Sequence, residues 1–270
     1  MGYFRMKLGI IAGDGKFPVI IADAAKKSGY TIIAVAFTGL TSPDIENAAD
    51  KVYWTKLGQL SALINILKKE GVTEAIMAGG VSKRLMFTNI MPDIKALALL
   101  TRLKDRKDDT ILRAIAGQLE KDGITVNAAT AYIKTILSDK GTLTKKGPTA
   151  EEWEDIRFGV NIAKEIGKLD IGQCVIVKNR AVIAVEAVEG TDETILRGGR
   201  LANGGAVVIK VCKPDQDTRF DLPTVGPTTI ASMIETKARV LAIEAGLTVM
   251  IDKEEMLRDA EEAGISVAGI

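Results

Sequence analysis

Histidine is absent from this sequence of 270 residues. Its absence excludes Ser-His-Asp triads, Cys-His dyads and histidine phosphotransfer, and it removes almost every zinc site. Carboxylates, lysines, tyrosines, hydroxyls and the backbone are the groups left for catalysis. A carboxylate is therefore the expected general base.

Cysteine is scarce, because Cys174 and Cys212 are the only two in the chain. Each lies within its own apolar run, which favours reduced, buried thiols over a disulfide. With so few soft ligands, a bound metal would be held by oxygen atoms, and oxygen ligands select hard ions such as Mg²⁺, Mn²⁺ or Ca²⁺. If the protein binds a metal, we expect magnesium.

The sequence has neither an excess of one charge nor a long apolar run. Lys and Arg number 36 and Asp and Glu number 35, so the formal net charge is +1 and no overall field attracts nucleic acid or an anionic membrane. No apolar run approaches the ~18 residues that span a bilayer, and residues 1–7 lead into a strand without a signal-peptide core. We expect a cytoplasmic protein with no nucleic-acid partner.

The length and the composition, 47% apolar and 26% charged, fit two folded domains. Apolar runs alternate with amphipathic stretches over residues 1–137, which predicts an α/β, Rossmann-like domain with a doubly wound parallel sheet. Its predicted strands are 8–12, 31–37, 52–54, 74–78 and 124–127, and its predicted helices are 19–27, 59–69, 93–103 and 109–121.

A polar stretch at 138–149, rich in Gly and Lys, lacks hydrophobic periodicity and is expected to be a linker. Residues 150–270 are expected to form a smaller α+β domain. A helix capped by Thr149 opens it, and a hairpin turning at Asn179 and Arg180 follows. The other expected elements are an apolar strand at 205–212, a long helix at 226–245, short runs at 247–251 and 265–268, and a helix from 253.

Two glycine-rich turns follow strands of the first domain. The first holds Gly13, Asp14, Gly15, Lys16 and Pro18, and its backbone N–H groups and helix start could meet a phosphate. The second holds Gly79 and Gly80 with Lys83 nearby, and the two turns could converge on one ligand. A tight turn without a ligand, and solvated cations, are the respective alternatives. The Gly-x-Gly-x-x-Pro spacing and the lack of an acid after the second strand disfavour a nicotinamide cofactor.

The irregular segment 210–229 is the most informative feature. If residues 217–221 are extended, Asp217, Arg219 and Asp221 lie on one face, where they could bind a hard cation and a phosphate together. The alternative is a surface loop with an internal ion pair. A second group, at 189–194, contains Thr191 and Asp192, either of which could simply cap a helix. Gly198, Gly199 and Arg200 are expected to follow that helix.

Together these residues resemble the LpxI family of UDP-2,3-diacylglucosamine pyrophosphatases, which act in lipid A biosynthesis. The resemblance covers essentially the whole chain and is carried by residues 8–18, 189–193 and, above all, 213–227. It implies Mg²⁺-dependent hydrolysis in which water attacks the α-phosphorus to give UMP and 2,3-diacylglucosamine 1-phosphate. The catalytic aspartate of the family's Arg-Phe-Asp-x-Pro motif corresponds to Asp221. A homodimer and a loose association with the inner membrane are also implied.

The candidate site residues combine the motifs and the resemblance. Candidate catalytic residues are Asp221, Arg219 and Asp217, with Asp221 also the candidate metal ligand; candidate substrate-binding residues are Gly13, Asp14, Gly15, Lys16, Pro18, Gly79, Gly80, Lys83, Thr191, Asp192, Arg200, Lys210, Lys213, Gln216 and Thr228. Two other functions remain open, a dinucleotide-dependent oxidoreductase and a nonenzymatic module that binds a nucleotide sugar or a lipid.

Overall fold

The computed structural model describes residues 6–81, 92–103, 108–214, 217–220 and 222–270, except for the side chains of residues 108 and 109. The chain divides into two compact units. The first comprises Met1–Ile133 together with Asp217–Asp221, and the second comprises Lys134–Gln216 and Leu222–Ile270. The chain therefore enters the first unit a second time, for a few residues, before the second unit is complete.

A parallel sheet forms the centre of the first unit. Its strands are β1 (Lys7–Ala12), β2 (Thr31–Phe37), β3 (Lys51–Thr55), β4 (Glu74–Ala78) and β5 (Thr125–Val126), in the order β3-β2-β1-β4-β5. All four pairings are parallel. The order reverses between β1 and β4, which makes the sheet doubly wound and confirms the predicted Rossmann-like α/β class.

Amphipathic helices accompany this sheet. They are α1 (Phe17–Lys27), α2 (Ile45–Ala48), α3 (Leu60–Lys69), α4 (Ile94–Leu100) and α5 (Asp108–Lys121). Pro18 lies in the first turn of α1, where a missing N–H costs nothing. Asp93 caps α4, its carboxylate accepting a hydrogen bond from the Ala96 N–H at 2.8 Å. The predicted helices at 19–27, 59–69, 93–103 and 109–121 are thus confirmed, with ends shifted by a few residues.

The second unit contains a mixed sheet of six strands, in the order 141–142, 266–269, 240–243, 207–210, 174–178 and 181–185. Its strands are β6 (Gly141–Thr142), β7 (Cys174–Lys178), β8 (Ala181–Val185), β9 (Val207–Lys210), β11 (Val240–Ile243) and β13 (Ser266–Gly269), and a separate pair is formed by β10 (Thr224–Val225) and β12 (Val249–Met250). The helices are α6 (Ala150–Lys168), α7 (Thr191–Ala202), α8 (Pro227–Glu235) and α9 (Lys253–Glu262). β9, β11 and β13 are parallel.

Side chains alternate between two cores across this sheet, as the twofold period of a strand requires. Val208 and Leu241 belong to one apolar cluster, and Val207 and Val240 belong to another that also contains Ile156 of α6. Both sheet faces are therefore covered, which explains why these strands are continuous apolar runs.

Several expectations for the second unit that rest on local sequence patterns are confirmed by the structure. Thr149 and Glu152 form a reciprocal capping box at the start of α6. Asn179 and Arg180 have φ of 51° and 58°, so they form the expected hairpin turn. Both cysteines are free and buried, as expected, and burial raises the pKa of the Cys174 thiol far above its ordinary value, which keeps that thiol protonated.

Two expectations about the second unit differ from the structure. The helix expected at 226–245 ends at Glu235, because Lys237 takes a left-handed conformation with φ of 55° and Val240–Ile243 become a buried strand instead. The segment 138–149, expected to be a linker, contains β6, which pairs antiparallel with β13. Ser138 is also held there, its hydroxyl donating to the Glu244 carbonyl at 2.7 Å.

None of the helices in the described ranges is both long enough and apolar enough to cross a membrane.

Candidate active site

The first glycine turn and the second meet where the strand order of the first unit reverses. Gly13 follows β1 and Gly79 follows β4, and the two strands are hydrogen-bonded neighbours. This is the position at which open α/β sheets bind ligands. The two turns therefore lie side by side, and their convergence on one ligand stays a prediction.

The two turns are joined by their own backbones. The N–H of Gly13 donates to the Ala78 carbonyl at 2.7 Å, and Asp14 and Gly80 exchange backbone hydrogen bonds of 2.8 Å and 3.2 Å. The Gly15 N–H donates to the Asp14 carboxylate at 2.8 Å. A phosphate bound by these N–H groups would have to displace those partners, so this arrangement favours the interpretation as a tight turn. Lys16 and Pro18 continue from the turn into α1.

Residues 217–220 form a turn, which corrects the extended conformation expected for 217–221. The Phe220 N–H donates to the Asp217 carbonyl at 3.0 Å, and the Arg219 N–H donates to the Asp217 carboxylate at 3.1 Å. An aspartate that binds the backbone two residues ahead closes a turn of this kind and competes with the extended form.

Asp217 and Arg219 are nonetheless paired directly. The Arg219 Nε and Nη2 atoms donate to Asp217 at 3.0 Å and 2.8 Å, and Nη1 donates to Glu120 of α5 at 3.2 Å. The hydrogen bond from Arg219 lowers the pKa of Asp217, and the same bond raises the pKa of Arg219. Asp217 therefore stays ionised at neutral pH and is a weak base.

A second group of candidate residues lies at one edge of the second sheet. Lys210 ends β9 and is 6% exposed, and its ammonium donates to the Thr224 carbonyl at 2.7 Å. Thr191, at the start of α7, donates its hydroxyl to Glu186 at 2.7 Å. Glu186 follows β8, is 7% exposed, and also accepts the Gln173 N–H at 3.0 Å. Since β8 and β9 run in the same direction, their carboxyl ends share this edge.

The backbone that leaves β9 at this edge is held by ion pairs. Lys213 pairs with Asp170 at 2.7 Å. Glu244 accepts the Cys212 N–H at 2.8 Å, and Lys164 bridges Glu244 and the Cys212 carbonyl at 2.7 Å and 2.9 Å. These contacts fix the start of the irregular segment 210–229.

The remaining second-unit candidates are not all brought together. Asp192 lies in the first turn of α7 beside Thr191. Arg200 lies within the last turn of the same helix, roughly 12 Å further along its axis, and its Nε donates to the Leu196 carbonyl at 2.9 Å. Thr228 is exposed in the first turn of α8. Arg200 is therefore separated from the others, contrary to expectation.

Gly198 and Gly199 belong to α7 and do not follow it as expected. A β-carbon on Gly198 would lie 2.7 Å from the Ile176 side chain, and one on Gly199 would lie 2.3 Å from that of Thr236. These glycines therefore allow α7 to pack closely against the sheet and against the end of α8.

Three candidates lie outside the described residues, namely Asp221, Lys83 and Gln216. Within the described ranges, no three Asp, Glu or Cys side chains gather closely enough to hold a metal ion. Asp221 therefore stays a prediction from the sequence as catalytic residue and as metal ligand.

Several supporting residues were not identified from the sequence. Glu120 and Arg113 contact the 217–220 turn, Glu186 holds Thr191, and Asp170 holds Lys213. Glu186 had one usable signal, since a carboxylate at the end of an apolar strand stands out. Glu120 had none, because it lies 99 residues from its partner on an ordinary amphipathic helix.

One curated relative matches nearly the whole chain. The UDP-2,3-diacylglucosamine pyrophosphatase LpxI of Caulobacter vibrioides is 32% identical over 277 residues, which cover 98% of this chain and 97% of that protein. The similarity therefore extends over both units and is not limited to one shared domain.

Solved structures resemble this chain more weakly. An N5-carboxyaminoimidazole ribonucleotide synthetase in complex with ADP has a TM-score of 0.30 at 16% identity, over 64% of this chain and 32% of that one. The Staphylococcus aureus N5-carboxyaminoimidazole synthetase has a TM-score of 0.26 at 17% identity, over 77% and 48%. The chain matches less than half of either structure, and TM-scores this low support no inference about it.

Two family models divide the chain between them. The LpxI N-terminal domain matches residues 7–136, and the LpxI C-terminal domain matches residues 139–268. Together with the full-length relative, these matches show that the chain belongs to the LpxI family.

Proposed function

We propose that this chain hydrolyses the pyrophosphate bond of UDP-2,3-diacylglucosamine in lipid A biosynthesis. In the proposed reaction, water attacks the α-phosphorus, and the products are UMP and 2,3-diacylglucosamine 1-phosphate. The observation that carries the proposal is the match of both units, from end to end, to the LpxI family and its curated pyrophosphatase. The enzyme class follows from the family, and the substrate and the position of attack are the proposal.

The described carboxylates support Asp221 as the base. With no histidine in the chain, we assign the proton of the attacking water to a carboxylate. Asp217 is unsuited to this role because Arg219 binds both of its oxygens and lowers its pKa. Glu186 is buried and accepts two hydrogen bonds. Asp221 is the acidic residue of the Arg-Phe-Asp-x-Pro motif, which neither of these two carboxylates belongs to.

The cations of the proposal are lysines of the second unit. Lys210 and Lys213 lie at and just after the end of β9, on the edge that also holds Thr191. The Lys210 ammonium donates to the Thr224 carbonyl and the Lys213 ammonium pairs with Asp170, so each would exchange that partner for a pyrophosphate oxygen in order to offset its negative charge. Arg219 was expected to share this task, but its guanidinium is already bonded to two carboxylates.

Mg²⁺ is part of the proposal. When bound, a hard divalent ion neutralises charge on phosphate oxygens and orients them. Asp217 fits poorly as its ligand because Arg219 occupies its oxygens, which leaves Asp221 as the candidate ligand in the motif. Chelation by EDTA should abolish turnover, and added Mg²⁺ should restore it; full activity in EDTA would remove the metal from the proposal.

Turnover in ¹⁸O-labelled water tests the reaction itself. The label should appear in UMP, since attack at the α-phosphorus leaves the water oxygen on the nucleotide. Label in the sugar phosphate would move the attack to the β-phosphorus. Binding of the substrate without any product would instead favour a nonenzymatic module.

Asp221→Asn tests the catalytic residue. Loss of a positioned base should lower kcat by about 10²- to 10⁴-fold with little change in KM. The matched control is Asp23→Asn, which makes the same change at an exposed residue of α1 and should leave both constants unaltered. Near-normal turnover by Asp221→Asn would reject the assignment.

A further inference from the structure

The turn at residues 217–220, which we call the anchor turn, is built into the first unit although the chain on either side belongs to the second. Phe220 is 7% exposed and is a member of the apolar core cluster that contains Val35 of β2 and Leu119 of α5. Burying an aromatic ring in a core fixes the backbone that carries it. The residue immediately before position 221 is therefore held firmly.

The polar side of the anchor turn is held by α5. Arg219 bonds Asp217 within the turn and Glu120 of the helix, and its guanidinium carbon lies 4.8 Å from the centre of the Phe220 ring. Arg113, also on α5, places its Nε atom 3.9 Å from the Asp217 carboxylate. Glu120 and Arg113 are seven residues apart, which is close to two helical turns, so they face the anchor turn together.

Among the described residues, the charges of this group balance one another. Two carboxylates, Asp217 and Glu120, lie against two guanidinium groups, Arg219 and Arg113. A site for a pyrophosphate needs an excess of positive charge, whereas a group that only holds a loop in place needs none. Arg219 is also committed in a fork-shaped bond to Asp217, which a substrate phosphate would have to displace.

We propose that Asp217, Arg219, Phe220 and Glu120 are positioning residues, which hold the anchor turn on the first unit so that residue 221 meets the scissile phosphate. This inference rests on the proposed function, because position 221 carries the proposed catalytic carboxylate. It replaces the expectation that Asp217 and Arg219 touch the substrate. It also assigns a role in the reaction to Glu120, which lies on a helix of the first unit outside every sequence motif.

Glu120→Gln in the full-length enzyme tests the proposal. Its side chain keeps nearly the same shape but loses the charge that holds Arg219. Because small displacements of a catalytic group are costly, kcat should fall by roughly 10-fold while KM stays within about 2-fold of the wild type. Hydrogen–deuterium exchange of the peptide covering 213–222 should accelerate in the absence of substrate. Lys121→Gln, an exposed neighbour on the same helix, is the control and should change neither quantity.

Arg219→Lys separates positioning from contact with substrate. An ammonium cannot bind Asp217 in a fork, bond Glu120 and stack on Phe220 at once, so kcat should fall by about 100-fold. The double variant, Arg219→Lys with Glu120→Gln, should have a kcat close to that of Arg219→Lys alone, since both substitutions break the same group of contacts.

Either of two results would overturn the proposal. One is a Glu120→Gln enzyme with wild-type kcat and wild-type exchange over 213–222. The other is an Arg219→Lys enzyme whose KM rises while exchange stays normal, with effects that add to those of Glu120→Gln. Failure of the proposed function is recognised separately, because the wild-type chain would then release no UMP, whereas exchange would still respond to Glu120→Gln.

Discussion

At the scale of single residues, the glycines of the first unit are explained by contact between backbones. Gly79 has φ of 86°, a conformation that other residues adopt at a cost, and a β-carbon there would lie 2.4 Å from the Asp14 carbonyl oxygen. A β-carbon on Gly13 would lie 2.6 Å from the Gly80 carbonyl oxygen. The close packing of the two turns is therefore enough to explain why glycine occupies these positions, although the pattern resembles a phosphate-binding loop.

Gly13→Ala should therefore destabilise the first unit. Since the obstructing atoms are backbone, the strand ends must move apart, and we expect a loss of about 3 kcal/mol in the free energy of unfolding. Urea unfolding followed by Trp54 fluorescence, in a Trp153→Phe background, measures it, because the chain has only these two tryptophans.

Gly15→Ala is the matched control for that prediction. Gly15, unlike Gly13, has a positive φ, 86°, but a β-carbon added there would meet no atom of the described residues within 4 Å, so only the backbone cost of about 1 kcal/mol should appear. Equal losses for the two variants would show that the close approach of the turns is unimportant.

At the scale of elements, the start of α7 is fixed by a hydrogen bond to a buried carboxylate. Thr191→Val keeps the shape of the side chain but removes the hydroxyl that Glu186 accepts at 2.7 Å. A buried acceptor left with one partner fewer should cost about 2 kcal/mol of stability, whereas Thr191→Ser should retain most of it. Urea unfolding followed by Trp153, in a Trp54→Phe background, reports on this unit. Unchanged stability of Thr191→Val, with a raised KM, would instead make Thr191 a substrate contact.

Elements with strong local signals were predictable from the sequence. The strand at 31–37 and the capped helix after Thr149 agree with the structure, because burial on both faces and a capping box leave clear patterns. The stretch 226–245 was wrongly taken as one helix, since a four-residue apolar run such as Val240–Ile243 suits a buried helix or a buried strand. Val240–Ile243 is a strand because it pairs with both β9 and β13, which the local sequence does not show.

The candidate site was predictable only in part. The sequence identified the anchor turn's residues, and their pairing was foreseen as one alternative, an internal ion pair. The bond from Arg219 to Glu120 was not foreseen, because it spans 99 residues and leaves no local pattern. The separation of Arg200 from Thr191 was missed for a different reason, since Gly198 and Gly199 were taken for a helix end.

At the scale of the whole molecule, two side chains that lie two positions apart belong to different units. Phe220 is counted with the first unit and is buried in its core, and Leu222 is counted with the second unit and is 6% exposed. Position 221 lies between them in the sequence. Within two positions of the sequence, the chain therefore passes from a buried residue of the first unit to a buried residue of the second.

Native-state hydrogen exchange can test this division in the full-length protein. Phe220→Ala removes a core side chain of the first unit, which typically costs about 3–5 kcal/mol, so the slowest amides of β1, β2 and β4 should exchange faster. Leu222→Ala, at a typical cost of about 2–5 kcal/mol, should accelerate those of β7, β9 and β11 instead. Each variant thus serves as the control for the other, since they differ by two positions and affect different sheets. If Phe220→Ala accelerated exchange in the second sheet and left the first unchanged, Phe220 would not be part of the first core, and the anchor turn would lose its apolar support.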